Sequence, residues 1–182
     1  LNPYGWSKHL FDIKVFKSSL ENNSLPDCWA GLKFFNVYGP YEVHKSKQAS
    51  VACQMIKQIN SGISLKLFRS HNILYKDGEQ LRDFIFVEDC VNVINWILKK
   101  KNFSGLYNVG TGKSRKFIDL ARCISISMGK KLTIDWVDTP IEIREQYQYF
   151  TEANMTKLYK AGYKEKFASL EEGIAKYIEY LK

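Results

Sequence analysis

The chain has 182 residues, with 27 Lys+Arg against 19 Asp+Glu, a formal charge of +8, and hydrophobic and charged fractions of 45% and 25%. These values fit one globular domain, or one and a part, and exclude disorder, collagen and coiled coil as whole-chain readings. No apolar run reaches the ~18 residues of a membrane span, and the opening Leu1-Asn2-Pro3-Tyr4 carries no signal-peptide pattern.

Trp6, Leu10, Ile13 and Phe16 share one face at helical spacing, so residues 4–20 are predicted helical. Asn22-Asn23-Ser24 and Pro26 then break the helix. Leu32-Lys33-Phe34-Phe35-Asn36-Val37-Tyr38 is aromatic and β-branched and stops at Gly39-Pro40, as a strand does. Residues 41–48 read as a polar loop, 50–61 as a helix with Gly62 at its C′ position, and 65–69 as a short strand. A polar insert over 70–81 turns at Asp77-Gly78. Asp83-Phe84-Ile85-Phe86-Val87 is nearly all apolar, which predicts a strand covered on both faces.

Asp89 is expected to cap a helix running to residue 100. Leu106-Tyr107-Asn108-Val109 is a second buried strand, closed by Gly110-Thr111-Gly112. Ser114 is expected to cap a helix ending at Gly129. A strand over 132–137, an irregular stretch over 138–150, and helices over 153–161 and 170–181 complete the chain. The last helix opens on the capping box Ser169-x-x-Glu172. Strands alternating with helices predict an α/β fold with a parallel sheet.

Cys28, Cys53, Cys90 and Cys123 are spaced by 25, 37 and 33 residues, far from any metal or redox spacing. They are expected to be buried free thiols in a reducing cytoplasm, and no metal is expected. The positive charge asks for an acidic partner: nucleic acid, anionic membrane and phosphorylated small molecules all qualify. Lys99-Lys100-Lys101 is the only tight basic run, at a predicted helix C-terminus where cations suit the dipole. No zinc-finger or RNP pattern occurs, so no specific nucleic-acid partner is expected.

Tyr4-Gly5-Trp6-Ser7-Lys8 is Y-x-x-x-K. Residues four apart on a helix share a face, so the phenol and the ammonium can point into one site. A nearby cation favours the phenolate and makes Tyr a usable acid/base near neutral pH. Taken alone, the pattern is common, and an exposed surface pair is its ordinary meaning.

Three further segments accompany it. Asn2-Pro3-Tyr4-Gly5-Trp6-Ser7-Lys8 resembles the P-Y-x-x-S-K active-site helix of the extended short-chain dehydrogenase/reductase family. Phe35-Asn36-Val37-Tyr38-Gly39-Pro40 resembles that family's following strand and loop. Arg82-Asp83-Phe84-Ile85-Phe86-Val87-Glu88-Asp89 and Tyr107-Asn108-Val109-Gly110-Thr111-Gly112 resemble its R-D-x-x-x-V-x-D and Y-N-x-G segments. The four matches are ordered and cover nearly the whole chain. A narrower match follows: Asn36-Val37-Tyr38-Gly39-Pro40-Tyr41-Glu42-Val43-His44-Lys45 is similar to the N-V-Y-G-P-x-E-x-H-K form of the ADP-glyceromanno-heptose 6-epimerases. Tyr147-Gln148-Tyr149-Phe150-Thr151 and Ala161-Gly162-Tyr163 also resemble that family.

The resemblance implies an α/β fold made of the C-terminal portion of a Rossmann-type parallel sheet, interleaved with a smaller α/β substrate lobe, as one region over 1–182. It implies epimerisation at C6″ of ADP-D-glycero-D-manno-heptose through a transient 6-ketone, with NADP as cofactor and NAD as the alternative. It places Tyr4 and Lys45 as acid/base groups and Lys8 on the nicotinamide ribose, with Val37 a further cofactor contact. It places Asn36, Lys47, Gln54, Phe68, Arg69, Ser70, His71, Arg82 and Tyr147 on the substrate. For Arg82, a guanidinium can hold a pyrophosphate in a fork, while an ion pair with Asp83 is the structural alternative. A cytoplasmic homo-oligomer, pentameric in the family, is implied, with no membrane partner.

Gly112-Lys113-Ser114 looks like the end of a P-loop, but Tyr107 stands where that pattern needs Gly. The glycines there are expected to form a tight turn without phosphate. The Gly-rich turn of a Rossmann cofactor site is not in the sequence, and the family's Ser/Thr partner of Tyr and Lys lies upstream of Tyr4. The chain is therefore expected to be the C-terminal part of an epimerase, inactive alone. The competing readings are another nucleotide-sugar epimerase or dehydratase, such as a UDP-sugar 4-epimerase, and a non-catalytic nucleotide-binding module.

Overall fold

In the computed structural model, residues 3–21, 26 and 28–182 are described. Helix α1 (Pro3–Leu20) opens on a proline, whose missing N–H costs nothing at a helix start. Its predicted break at Asn22-Asn23-Ser24 lies outside the described residues. The expected apolar face is present but uncovered: Trp6, Leu10, Ile13 and Phe16 are each at least 37% exposed, and α1 buries no residue. Then come β1 (Trp29–Phe34), β2 (Asn36–Tyr38), a 3-10 turn over Val43–Gln48, α2 (Val51–Asn60) and β3 (Leu65–Phe68). The middle of the chain holds β4 (Leu81–Arg82), β5 (Phe84–Phe86), α3 (Val87–Leu98) and β6 (Ser104–Val109). The last third holds β7 (Arg115–Lys116), α4 (Phe117–Met128), β8 (Ile134–Val137), α5 (Ile141–Arg144), α6 (Thr156–Lys160) and α7 (Leu170–Glu179).

The predicted strand over 32–38 begins earlier and is split by Phe35. Its two parts pair in parallel with different neighbours, β1 with β6 and β2 with β5. The Phe35 N–H donates to Val109 O at 3.0 Å and the Asn36 N–H to Asp83 O at 3.0 Å. Successive N–H groups of a strand point to opposite sides, so one continuous stretch passes from one partner to the other at residue 35. A parallel pair β3–β8 and a short antiparallel pair β4–β7 complete the pairing.

Strand β5 divides the interior, as its unbroken apolar sequence predicts. Phe84 and Phe86 join the core formed by α2, α4 and α7, including Ile56, Leu120, Ile124 and Ile174. Ile85, pointing the other way, joins Val93, Val109 and Leu158. Period-two alternation thus places one strand in two cores.

Several expectations are corrected. Asp89 does not cap α3: the helix starts at Val87, and the Asp89 carboxylate accepts the Ala168 N–H at 3.0 Å. Ser114 does not cap α4, which starts at Phe117; its N–H and hydroxyl both donate to Glu152 at 2.9 Å. The stretch 41–48 is not all loop, and β4 and β7 pair where no strand was expected. All four cysteines are free, but only Cys53 and Cys90 are buried and Cys28 is exposed. Ser169 and Glu172 form the predicted capping box, and Gly129 ends α4 in the left-handed conformation. No helix among the described residues is long and apolar enough to cross a membrane.

Candidate functional site

A cavity of about 510 Å³ opens between α2, β3, β4 and the 147–149 segment. Gln54 comes from the outer face of α2. Phe68 ends β3, whose alternation buries Leu65 and Leu67. Arg82 comes from β4, and Phe117 and Tyr147 supply aromatic walls.

Arg82 is the charged centre. Its guanidinium carbon lies 5.6 Å from the ring centroids of both Tyr147 and Phe117, and Nη1 donates to Leu81 O at 2.8 Å. It forms no ion pair among the described residues. Burial pulls its pKa below the ordinary value, only partly offset by Tyr147, yet a guanidinium stays charged. Burial likewise pushes the Tyr147 phenol up. Phe68 meets Tyr147 edge-on at 6.2 Å. A half-desolvated cation between aromatic faces, without a counter-ion, is an environment suited to an anion carried on a planar ring.

The structural alternative for Arg82 fails on the position of Asp83. That carboxylate is fully buried and turned elsewhere. It accepts the N–H and hydroxyl of Thr111, the N–H of Gly112 at 2.9 Å and the N–H of Ala153 at 3.0 Å. The P-loop-like turn therefore spends its N–H groups on an internal carboxylate, an intramolecular form of the anion-binding nest. Gly110 must be glycine there, since a Cβ would stand 2.5 Å from Ala153 Cβ and 2.6 Å from Asp83 Oδ2.

Of Phe68-Arg69-Ser70-His71, only Phe68 lines the cavity among the described residues. The Arg69 Nε lies 3.9 Å from Asp138. The Ser70 N–H donates to Asp77 at 2.7 Å, and His71 Nε2 accepts the Thr139 N–H at 3.3 Å. Gln54 reaches the cavity, but its amide nitrogen donates to Ala49 O at 2.9 Å and Lys47 O at 3.3 Å. Lys45 and Lys47 stand exposed on the 3-10 turn, Asn36 is exposed on β2, and Val37 is half-buried beside it. Tyr4 and Lys8 do meet, the Lys8 ammonium 5.3 Å from the Tyr4 ring centroid, with Tyr4 72% exposed.

Glu42 is the residue whose role the sequence reading missed. It is buried, and its carboxylate accepts the Ser50 N–H and hydroxyl, both at 2.6 Å, and weaker contacts from Gly39 N–H at 3.4 Å and the Tyr177 hydroxyl at 3.3 Å. It ties the start of the Lys45 loop to the N-terminus of α2 and to α7. Its place in the motif of residues 36–45 was the available signal.

Comparison with known proteins adds to this geometry. The model of the NAD dependent epimerase/dehydratase family matches residues 1–110. A curated ADP-L-glycero-D-manno-heptose-6-epimerase of Nitratidesulfovibrio vulgaris is 44% identical over 182 residues, 100% of this chain and 55% of the relative. The crystal structure of the Helicobacter pylori ADP-L-glycero-D-manno-heptose-6-epimerase superposes with a TM-score of 0.79 at 29% identity, over 99% of this chain and 50% of that one. The Thermus thermophilus UDP-glucose 4-epimerase in complex with NAD has a TM-score of 0.77 at 20% identity, over 98% and 53%, a likeness of fold alone. The chain thus spans about half the length of the curated relatives it matches.

Proposed function

Because this chain belongs to the NAD dependent epimerase/dehydratase family, we propose that its Arg82 cavity binds the nucleotide diphosphate of an ADP-linked heptose, and that its residues serve inversion at C6″ of that sugar. The observation carrying the reading is Arg82, a half-desolvated cation with no carboxylate partner among the described residues, framed by Phe117 and Tyr147. Its fork suits the pyrophosphate, and the aromatic walls suit the adenosine end. The Nitratidesulfovibrio vulgaris ADP-L-glycero-D-manno-heptose-6-epimerase, 44% identical over the whole of this chain, supports the choice of an ADP-heptose over a UDP-sugar.

The residues present fit one end of a nicotinamide cofactor. Tyr4 and Lys8 lie side by side on α1, where the ammonium can bond a ribose hydroxyl beside the phenol. Val37 would line the same end. No Gly-rich pyrophosphate turn is in the sequence, so the far end finds no holder within these residues. When bound, such a cofactor exchanges hydride with the sugar carbon. The chain's own part is proton transfer at the C6″ oxygen by Tyr4 in one half-reaction and by Lys45 in the other, with Asn36 and Arg82 holding the substrate. NADP, rather than NAD, and a homo-oligomeric, cytoplasmic enzyme are part of this reading.

Calorimetric titration of the 182-residue chain with ADP-heptose and with UDP-galactose tests it. ADP-heptose is expected to bind at least ~10-fold more tightly, a difference of about 1.4 kcal/mol. Equal or tighter binding of the UDP-sugar would favour the 4-epimerase alternative.

A further inference from the structure

The Lys99-Lys100-Lys101 run gains a second half in the fold. Trp96, in the last turns of α3, meets Phe103 and Tyr163 at centroid distances of 5.4 Å each, and Phe103 stacks on Tyr107 at 4.6 Å. These four rings clip the 96–107 segment to the end of α6 and the residues after it. Lys100 Nζ lies 4.7 Å from the Trp96 ring and Lys157 Nζ 4.8 Å from the Tyr107 ring. Two stretches far apart in sequence therefore share one face. Together they carry Lys99, Lys100, Lys101, Lys157, Lys160 and Lys164, with no Asp or Glu in 96–107 or 156–164 and a single carboxylate, the exposed Glu165, directly after Lys164. All six lysines are exposed, and none forms an ion pair among the described residues.

We infer that this lysine face docks on an anionic lipid bilayer surface. Clusters of four to eight cations attract such surfaces additively, within a Debye length. An apolar group adjoins the cations as an interfacial contact needs: Leu98 is 77% exposed beside the triple lysine. A nucleic acid is less well served. Phe103, Tyr107 and Tyr163 are buried, and the half-buried Trp96 ring has Lys100 above it, so no open aromatic platform is left for bases. The face also lies at the starts of β1 and β6, paired at Trp29 and Ser104. Asn36 and Arg82 lie beyond the other ends of these strands, so docking leaves the Arg82 cavity open. The inference is independent of the proposed enzymatic role.

The test is co-sedimentation of the 182-residue chain with vesicles of phosphatidylcholine alone and with phosphatidylglycerol added as one lipid in three. Binding is expected only to the anionic vesicles and is lost in half-molar salt. Reversing Lys99, Lys100 and Lys101 to Glu, or Lys157, Lys160 and Lys164 to Glu, should each lower the partition coefficient at least ~10-fold. A control of the same net charge, Lys14→Glu, Lys17→Glu and Lys57→Glu, should retain the larger part of the binding. Circular dichroism verifies that all three variants are folded. Equal losses in all three would reduce the effect to net charge and overturn the assignment. So would an absence of vesicle binding at low salt, or tighter binding to duplex RNA than to the vesicles.

Discussion

Asp83 and Thr111 are joined twice: Asp83 Oδ1 accepts the Thr111 backbone N–H at 2.8 Å and the Thr111 hydroxyl at 2.6 Å. With Gly112 and Ala153 donating to Oδ2, one buried carboxylate fastens the end of β6 to the segment before α6. Its neighbour Arg82 is thereby left to the cavity. The adjacent pair, which looks in sequence like a salt bridge, works as two separate devices: Asp83 organises the backbone, and Arg82 stays unpaired among the described residues.

Asp83→Ala should therefore be a stability lesion. One buried and two half-buried N–H groups lose their acceptor, and donors left unsatisfied in this way cost about 3–5 kcal/mol together. For a domain of this size that corresponds to a fall in melting temperature of roughly 10 °C. Asp83→Asn, keeping one acceptor oxygen, should lose less. A thermal melt of the alanine variant within ~2 °C of wild type would show that the network contributes little.

Arg82→Ala should do the opposite, sparing stability and damaging binding. Losing a charge-assisted contact costs about 1.5–3 kcal/mol, or ~10- to 150-fold in affinity for ADP. Arg82→Lys should not restore it, because a point charge cannot reproduce the fork. Calorimetry decides, with the melting curve as control. Unchanged ADP affinity would remove Arg82 from the site.

The Arg115–Glu171 pair should give the chain an acid-dependent contribution. The Arg115 guanidinium, bonded at 2.7 and 3.2 Å, holds the Glu171 carboxyl down to about 2 from its ordinary 4.5. A folded-state pKa below the unfolded one means stability that is present above pH 4.5 and lost as pH falls towards 2. The side chains are 33% and 55% exposed, so solvent screening keeps the contribution below about 1 kcal/mol. Glu171→Gln should melt at most ~3 °C lower than wild type at pH 6, and the two curves should converge as pH falls to 3. A gap that widens on acidification would contradict the pairing.

What the sequence revealed follows from the range of each signal. Helix periodicity, the Ser169 capping box and the doubly covered β5 are local patterns, and the structure reproduces them. The helix starts at Val87 and Phe117 were missed because Asp89 and Ser114, good caps by residue type, are recruited by Ala168 and Glu152 from far along the chain. The apolar stripe of α1 was legible, but its exposure was not, since periodicity says which face is apolar and not what covers it. Among the proposed site residues, Gln54, Phe68, Arg82 and Tyr147 line one cavity. Arg69, Ser70 and His71 turn to Asp77 of the 70–81 insert and to residues 136–139 at the end of β8, contacts that a linear motif does not encode.

The last prediction concerns Lys45. On the proposed reading C6″ is inverted through a ketone, which requires hydride on both faces of that carbon, so the ketone would have to turn within the site between half-reactions. After turning, its oxygen no longer points at the group that first took its proton. Tyr4, fixed on α1 beside Lys8, can serve one orientation, and a second group is needed for the other. Lys45 sits on the 3-10 turn that follows Gly39-Pro40, and Glu42 secures that turn through Ser50 and Tyr177. Acid/base groups contribute about 10²–10⁴-fold, so Tyr4→Phe and Lys45→Met should each lower epimerisation at least ~100-fold. The assay uses the smallest polypeptide containing this sequence that turns over ADP-heptose, followed by proton NMR of the C6″ position. Glu42→Gln should lower kcat while leaving ADP affinity in place, and should speed tryptic cleavage after Lys45 and Lys47, because the clamp and not the cavity is lost. Near-normal turnover in Lys45→Met would leave Tyr4 as the single acid/base group. Intact turnover in Glu42→Gln despite faster cleavage of the loop would separate the clamp from the chemistry.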